Sequence, residues 1–118
     1  MSIRLLLAAA LIALAACGPA EAPPKPLTPE QSAALKPADA RLAGLYEGSC
    51  KACHTVADSR APLTGDRTKW DPRWAVGEEA LLVTVIQGKG EMPAGGQCFT
   101  CTPDDLKVLI RFMAGRGK

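Results

Sequence analysis

Apolar residues fall into separate blocks along the chain, each with its own period. The first is a plain run: Arg4, then Leu5 to Leu14 almost wholly apolar, then small residues up to Cys17. It is too short to cross a bilayer as a helix and has the layout of a secretory signal peptide, which assigns residues 1–16 to targeting. The second block is periodic. Leu42, Leu45, Tyr46, Cys50 and Cys53 stand at i, i+3, i+4, i+8 and i+11, one face of a helix that runs into a Cys-x-x-Cys pair. The last block is the clearest. Leu106, Leu109, Ile110 and Met113 form an i, i+3, i+4, i+7 stripe, with Thr102 as N-cap, Pro103 at the first helical position, Asp104 and Asp105 at the positive end of the dipole, and Gly115 and Gly117 as terminators. Thr102-x-x-Asp105 has the form of a capping box with a short acidic partner.

Two segments between these blocks read less sharply. Glu78–Gln87 lies between Gly77 and Gly88; Val83-Thr84-Val85-Ile86 favours a strand, while the length and two leading acids favour a helix, so the pattern leaves both open. Asp71 and Pro72 read as N-cap and first residue of a short helix, with Trp70 and Trp74 beside them.

Most of the ten prolines lie in Gly18–Ala38. Proline fixes φ and lacks the donor N–H, so this stretch reads as a semi-rigid extended tether without a helix or central strand. Leu14-Ala15-Ala16-Cys17 resembles a bacterial lipobox, after which the cysteine is lipid-modified. The expected division is therefore a lipoprotein signal at 1–16, a lipidated Cys17 and tether at 17–37, and one domain at 38–118. Extended, the tether would hold the domain up to roughly 60 Å from the membrane.

A chain of 118 residues with two Trp, two Phe and one Tyr has little aromatic bulk for a core, and small domains of this kind rely on a disulfide, metal or cofactor. A net charge of +2 gives no case for nucleic acid. The export signal sends the domain to a compartment where disulfides persist. Of five cysteines, setting Cys17 aside leaves two pairs, Cys50/Cys53 and Cys98/Cys101.

Three chemistries compete for Cys50-Lys51-Ala52-Cys53-His54. A redox dithiol wants a βαβ context, and no strands precede the pair. A zinc site would join both pairs as Cys₄. The third uses the histidine: Cys-x-x-Cys-His is the attachment signature of c-type haem. Two cysteines three apart on one turn reach the two vinyl-derived positions of the porphyrin, and the next residue turns its imidazole to the iron. His54 is the chain's one histidine and stands where this needs it. One covalent haem c, with Cys50 and Cys53 as attachment points and His54 as axial ligand, is the favoured reading. For the sixth position there is no second histidine; Met1 is removed with the signal, Met113 lies on the core stripe, and Met92 remains, in a glycine-rich loop stiffened by Pro93.

Taken together, "YEGSCKACH", "APLTGDRTKW" and "GKGEMPAGGQCFTCTPDDLKVLIRFM" resemble the class I cytochromes c, in particular the cytochrome c5-like group, over about residues 40–115. The resemblance implies an all-α cytochrome c fold, a small helical domain wrapped around one haem, with Glu78–Gln87 helical. It implies that Cys98 and Cys101 form a disulfide. It implies that the Pro62 carbonyl accepts the His54 imidazole N–H, that Trp70 lies near the haem, and that Gly44 and Tyr46 pack across the last helix against Phe112. Iron with His54 and Met92 both bound has no open position for a small-molecule substrate, so the expected protein is not an enzyme but a one-electron carrier. It would work in the bacterial periplasm between redox partner proteins, tethered through lipid on Cys17; Gly18, in place of the Asp that retains many lipoproteins at the inner membrane, leans toward the outer one. Lys51, Arg67, Lys69, Arg73 and Lys89 are candidates to ring the haem edge and steer an acidic partner. The alternative is a cytochrome subunit fixed in a larger oxidase or dehydrogenase.

Overall fold

In a computed structural model that describes residues 18–117, the chain runs through α1 (Pro29–Ala33), α2 (Ala40–Glu47), α3 (Lys51–His54), α4 (Arg67–Trp74), α5 (Glu78–Gln87) and α6 (Pro103–Met113). Tight turns at Ala57–Ser59 and Ala94–Gln97 join them. Among the described residues there is no strand, only an isolated bridge between Lys89 and Met92. The fold is all-α, as expected.

The C-terminal stripe makes α6 the wall on which the other helices are laid. Thr102 Oγ1 accepts from Asp105 N at 3.2 Å and Asp105 Oδ2 accepts from Thr102 N at 3.0 Å, so the short acid closes the capping box. At the other end Arg116 N–H donates to Arg111 O at 2.8 Å and Gly115 N–H to Phe112 O at 3.0 Å, the paired bonds of a Schellman stop. All four stripe residues are buried, and they face two ways. Leu109 and Met113 pack with Tyr46 and Trp70; Leu106 and Ile110 pack with Leu81 and Leu82 of α5.

That packing decides α5. Leu81 and Leu82 meet α6 on one side, and Lys107–Glu79 (2.6 Å) and Arg111–Glu78 (2.8 Å) ion pairs run between the two helices. A strand here would find no partner for its backbone among the described residues, so burial against α6 overrides the β-branched propensity of Val83–Ile86.

Three expectations change. The helix placed at Asp71 begins earlier: Asp66 is the N-cap, its carboxylate accepting from Thr68 N at 3.0 Å, and Pro72 lies inside α4. The face running from Leu42 into the cysteines is not one helix, since α2 ends at Gly48 and α3 is a separate turn; Leu42, Leu45 and Cys50 still reach the same core, while Cys53 is exposed. The proline-rich segment is not extended throughout. Thr28 and Gln31 form a capping box, Pro29 sits at the first helical position, and α1 folds onto the domain with Ser32 fully buried. Proline blocks a helix interior but not its first turn.

The Tyr46 and Phe112 rings meet edge to face with centroids 5.1 Å apart, joining α2 to α6 as the resemblance implied. Gly44 takes no close part: a Cβ there would meet nothing within 4 Å.

Asp105 serves the cap and also accepts from Arg41 Nη2 at 2.6 Å, and these bonds hold its carboxyl well below the ordinary range. Its contribution is therefore complete above the unfolded value of about 3.9 and fades as pH falls toward the folded one. Asp105→Asn should melt below wild type at pH 7, with the gap closing as pH drops through about 4 to 2; thermal melts across that range check it.

Candidate functional site

The cysteine–histidine segment is a single helical turn. Cys53 N–H and His54 N–H both donate to Cys50 O, at 3.3 and 3.1 Å, which puts both thiols on one turn with the imidazole directly after. Both thiols are free, Cys50 half-buried and Cys53 exposed; burial pushes the Cys50 thiol up, against the Ser49 hydroxyl that lowers it. Cys98 and Cys101 are joined in a disulfide, their Cα atoms 5.3 Å apart. Among the described residues no three His, Cys, Asp or Glu side chains gather as a metal site. The disulfide takes Cys98 and Cys101 out of any shared Cys₄ set with Cys50 and Cys53, so the two pairs are separate.

His54 is 6% exposed and its Nδ1 lies 2.8 Å from Pro62 O. A carbonyl can only accept, so Nδ1 carries the proton and Nε2 keeps its lone pair. Among the described residues Nε2 has no hydrogen-bond partner. Burial lowers the imidazole's pKa, opposed by the Pro62 bond and aided by the charge of Arg73. The ring is neutral with one nitrogen free, the form a metal ligand takes. Trp70 stacks on it, centroids 5.9 Å apart and planes 30° apart, and donates Nε1–H to Leu63 O at 2.9 Å.

The loop from His54 to Asp66 is folded back on itself. Thr64 N–H donates to His54 O at 2.7 Å, Tyr46 Oη–H to Thr64 Oγ1 at 2.9 Å, and Gly65 N–H to Met113 O at 2.7 Å. Ser32 Oγ reaches Thr64 O at 2.9 Å and His54 O at 3.2 Å. Tyr46, Thr64 and Ser32 are all fully buried. The sequence reading gave Ser32 and Thr64 no role.

Met92 stands on a tight turn after α5, with its N–H donating to Lys89 O and its carbonyl accepting from Lys89 N, each at 3.0 Å. Gly88, at φ +80°, makes room for it: a Cβ there would lie 2.7 Å from Met92 O and 2.9 Å from Ala94 N. The Met92 side chain is half-buried, and the disulfide follows between this loop and the Thr102 cap.

Two free thiols three residues apart on one turn, followed by a neutral imidazole with Nε2 unclaimed, form a donor set suited to a covalently attached haem. The core suits one as well. Nine apolar side chains are buried among the described residues, split into two clusters on either side of α6, a modest core for a domain of this length. Residues 37–113 match the family described as cytochrome c oxidase, cbb3-type, subunit III. Cytochrome c5 of Azotobacter vinelandii is 37% identical over 68 residues, 56% of this chain and 82% of that one. The chain is a class I c-type cytochrome.

Cytochrome c-555 of Chlorobaculum tepidum is 35% identical over 77 residues, covering 62% of this cytochrome and 71% of its relative. Among solved structures, a chain in an electron transfer complex of nitrite reductase with cytochrome c is 34% identical, with a TM-score of 0.59, over 68% of this chain and 98% of that one. The cytochrome carries one covalent haem c and is a small electron-transfer protein, not an enzyme.

Of the proposed basic ring, Arg67 is already engaged with Glu21 (2.6 Å) and Asp71 (3.2 Å), and Arg73 donates to Lys69 O at 2.6 Å. Lys69 and Lys89 are exposed. Cys17 lies outside the described residues.

Trp70→Phe keeps a ring beside His54 and removes the donor to Leu63 O. Leu63 O keeps the Asp66 N–H at 3.0 Å, so the change should cost only the net worth of one hydrogen bond, about 1 kcal/mol, read from denaturant unfolding of the haem-loaded protein.

Proposed function

We propose that the protein is a periplasmic, membrane-tethered one-electron carrier in which Cys50 and Cys53 bind the haem through thioethers and His54 and Met92 ligate its iron. The observation that carries this reading is the buried, neutral His54 imidazole, oriented by Pro62 and free at Nε2, on the same turn as two free thiols. The haem supplies one-electron exchange at its iron. His54 gives a ligand whose basicity the Pro62 carbonyl raises by drawing on the Nδ1 proton. Met92 is the remaining partner: there is no second histidine, Met1 falls in the signal, and Met113 is 5% exposed in the core beside Tyr46. Trp70 keeps water from one side of the imidazole, and the Cys98–Cys101 disulfide ties the end of the Met92 loop to the start of α6.

The tether reading rests on the lipobox ending at Cys17. Because α1 is folded on the domain, the longest span left to reach a lipid is residues 18–26, about 28 Å at about 3.1 Å per residue once the exposed Arg67–Glu21 ion pair opens, shorter than the full segment suggests. The outer membrane fits Gly18. Among the described residues no helix is long and apolar enough to cross a membrane. A second reading, a subunit held in a larger oxidase, is favoured by the family description, which names an oxidase subunit. Partner proteins are in keeping with the similar cytochrome solved with nitrite reductase. Purification in mild detergent separates the two: a free carrier leaves the membrane alone, and a subunit brings stoichiometric oxidase chains with it.

The reduced protein should show a sharp low-spin α band, and the oxidised one the weak far-red band of sulfur on iron. Met92→Ala should lose the far-red band and lower the midpoint potential by on the order of 0.1–0.3 V, within the roughly 0.8 V that axial ligands control. An unchanged spectrum would remove Met92 from the iron. Cys17→Ser should move the protein from the membrane pellet to the soluble fraction; continued membrane association would end the lipid reading.

A further inference from the structure

We propose that the strap of residues 27–37 is a working part of the histidine side of the haem site, with Ser32 as a positioning residue for His54. This rests on the reading of His54 as an iron ligand.

Ser32 is a polar side chain with no exposure at all, in a segment otherwise mostly open to solvent. Burying a hydroxyl is unfavourable unless it is hydrogen-bonded. Its two acceptors, Thr64 O at 2.9 Å and His54 O at 3.2 Å, are the main-chain carbonyls at the two ends of the loop that contains Pro62. Thr64 N–H already closes that loop onto His54 O. Ser32 shares one proton between the two ends and, among the described residues, is the sole partner of the Thr64 carbonyl. The Pro62 oxygen that sets the His54 tautomer therefore sits in a ring of main chain whose closure is completed from the strap.

The strap has its own hold on the domain. Gly65, at φ +81°, lies directly under it: a Cβ there would come within 2.5 Å of Leu35 Cδ1 and 3.0 Å of Leu27 Cδ1. Two leucines thus cover the loop on either side of the Ser32 helix, and the Thr28–Gln31 capping box keeps that helix wound. The family match begins at residue 37, so nearly all of the strap, Ser32 included, precedes the matched stretch while packing on its histidine loop.

Removing the Ser32 hydroxyl frees the Thr64 carbonyl and loosens the ring, and with it the hold of Pro62 O on the imidazole proton. A weaker bond makes His54 a poorer electron donor, which favours the reduced iron. In haem-loaded Ser32→Ala the low-spin spectrum should persist, because every attachment residue is intact, and the midpoint potential should rise above wild type. Exchange of the His54 Nδ1 proton and of the Thr64 amide should quicken about tenfold, the effect of one lost buried hydrogen bond on a local opening, while amides of α5 keep their rates. Thr28→Ala keeps the hydroxyl but frays α1, and should move the same readouts the same way by less. It carries the test if Ser32→Ala fails to retain haem.

Wild-type potential and wild-type exchange at His54 in these variants would overturn the proposal. So would faster Thr64 exchange with an unmoved potential, which would make the strap packing alone. A wild-type spectrum without histidine ligation would instead overturn the reading of His54 on which the proposal stands.

Discussion

The hydrogen bond between His54 Nδ1 and the Pro62 carbonyl holds the histidine side of this protein together. An imidazole has two nitrogens and a neutral ring has one proton, so a partner that can only accept decides which nitrogen is left for a metal. The bond works only if Pro62 O is held still, and much of the buried polar structure serves that end. Thr64 N–H closes the loop onto His54 O, Tyr46 pins the Thr64 hydroxyl, Trp70 pins Leu63 O, and Gly65 ties the loop to the end of α6. These groups lie on separate parts of the chain and meet in one small volume, where low dielectric strengthens each bond and makes an unpaired group costly.

The helix α6 supplies the rigid reference for that loop and for the disulfide that follows the Met92 turn. Its buried stripe divides between the Tyr46–Trp70 cluster and the α5 cluster, and Cys101, at its start, packs against both. The modest number of buried apolar side chains sets a limit on what the polypeptide does alone. A covalently held haem offsets that limit, since it adds a large apolar body and cannot be lost by dissociation. Electron transfer suits such a build: rigid covalent attachment keeps the iron's surroundings similar in both oxidation states.

The elements most legible in the sequence were those whose information is local. The Thr102 cap, Pro103, the four-residue stripe and Gly115 marked α6 at both ends because every signal acts within a few residues. The same grammar stands at Thr28-Pro29-Glu30-Gln31. There the surrounding prolines argued for an extended chain, and α1 was missed. α4 was placed too late because Asp71-Pro72 looks like a helix start, while Asp66, the cap in use, precedes a stretch with little apolar period. α5 carried contradictory local signals, and the opposing face of α6 resolved them.

At the candidate site the division runs along the same line. Cysteine spacing with an adjacent histidine is a contact between neighbours on one turn, so the sequence by itself determined the class of cofactor. It also singled out the cysteine pair near α6, because Cys98 and Cys101 are close along the chain. Tertiary structure alone decided how the imidazole is held: that a serine from the proline-rich strap reaches two carbonyls of the histidine loop, that Gly65 must lack a side chain beneath Leu27 and Leu35, and that Gly88 must lack one beside the Met92 turn. Each of these is a contact between residues that are distant in sequence or pressed together by a fold. No propensity or period encodes such contacts, because their energy exists only once the backbone has brought the two surfaces within reach.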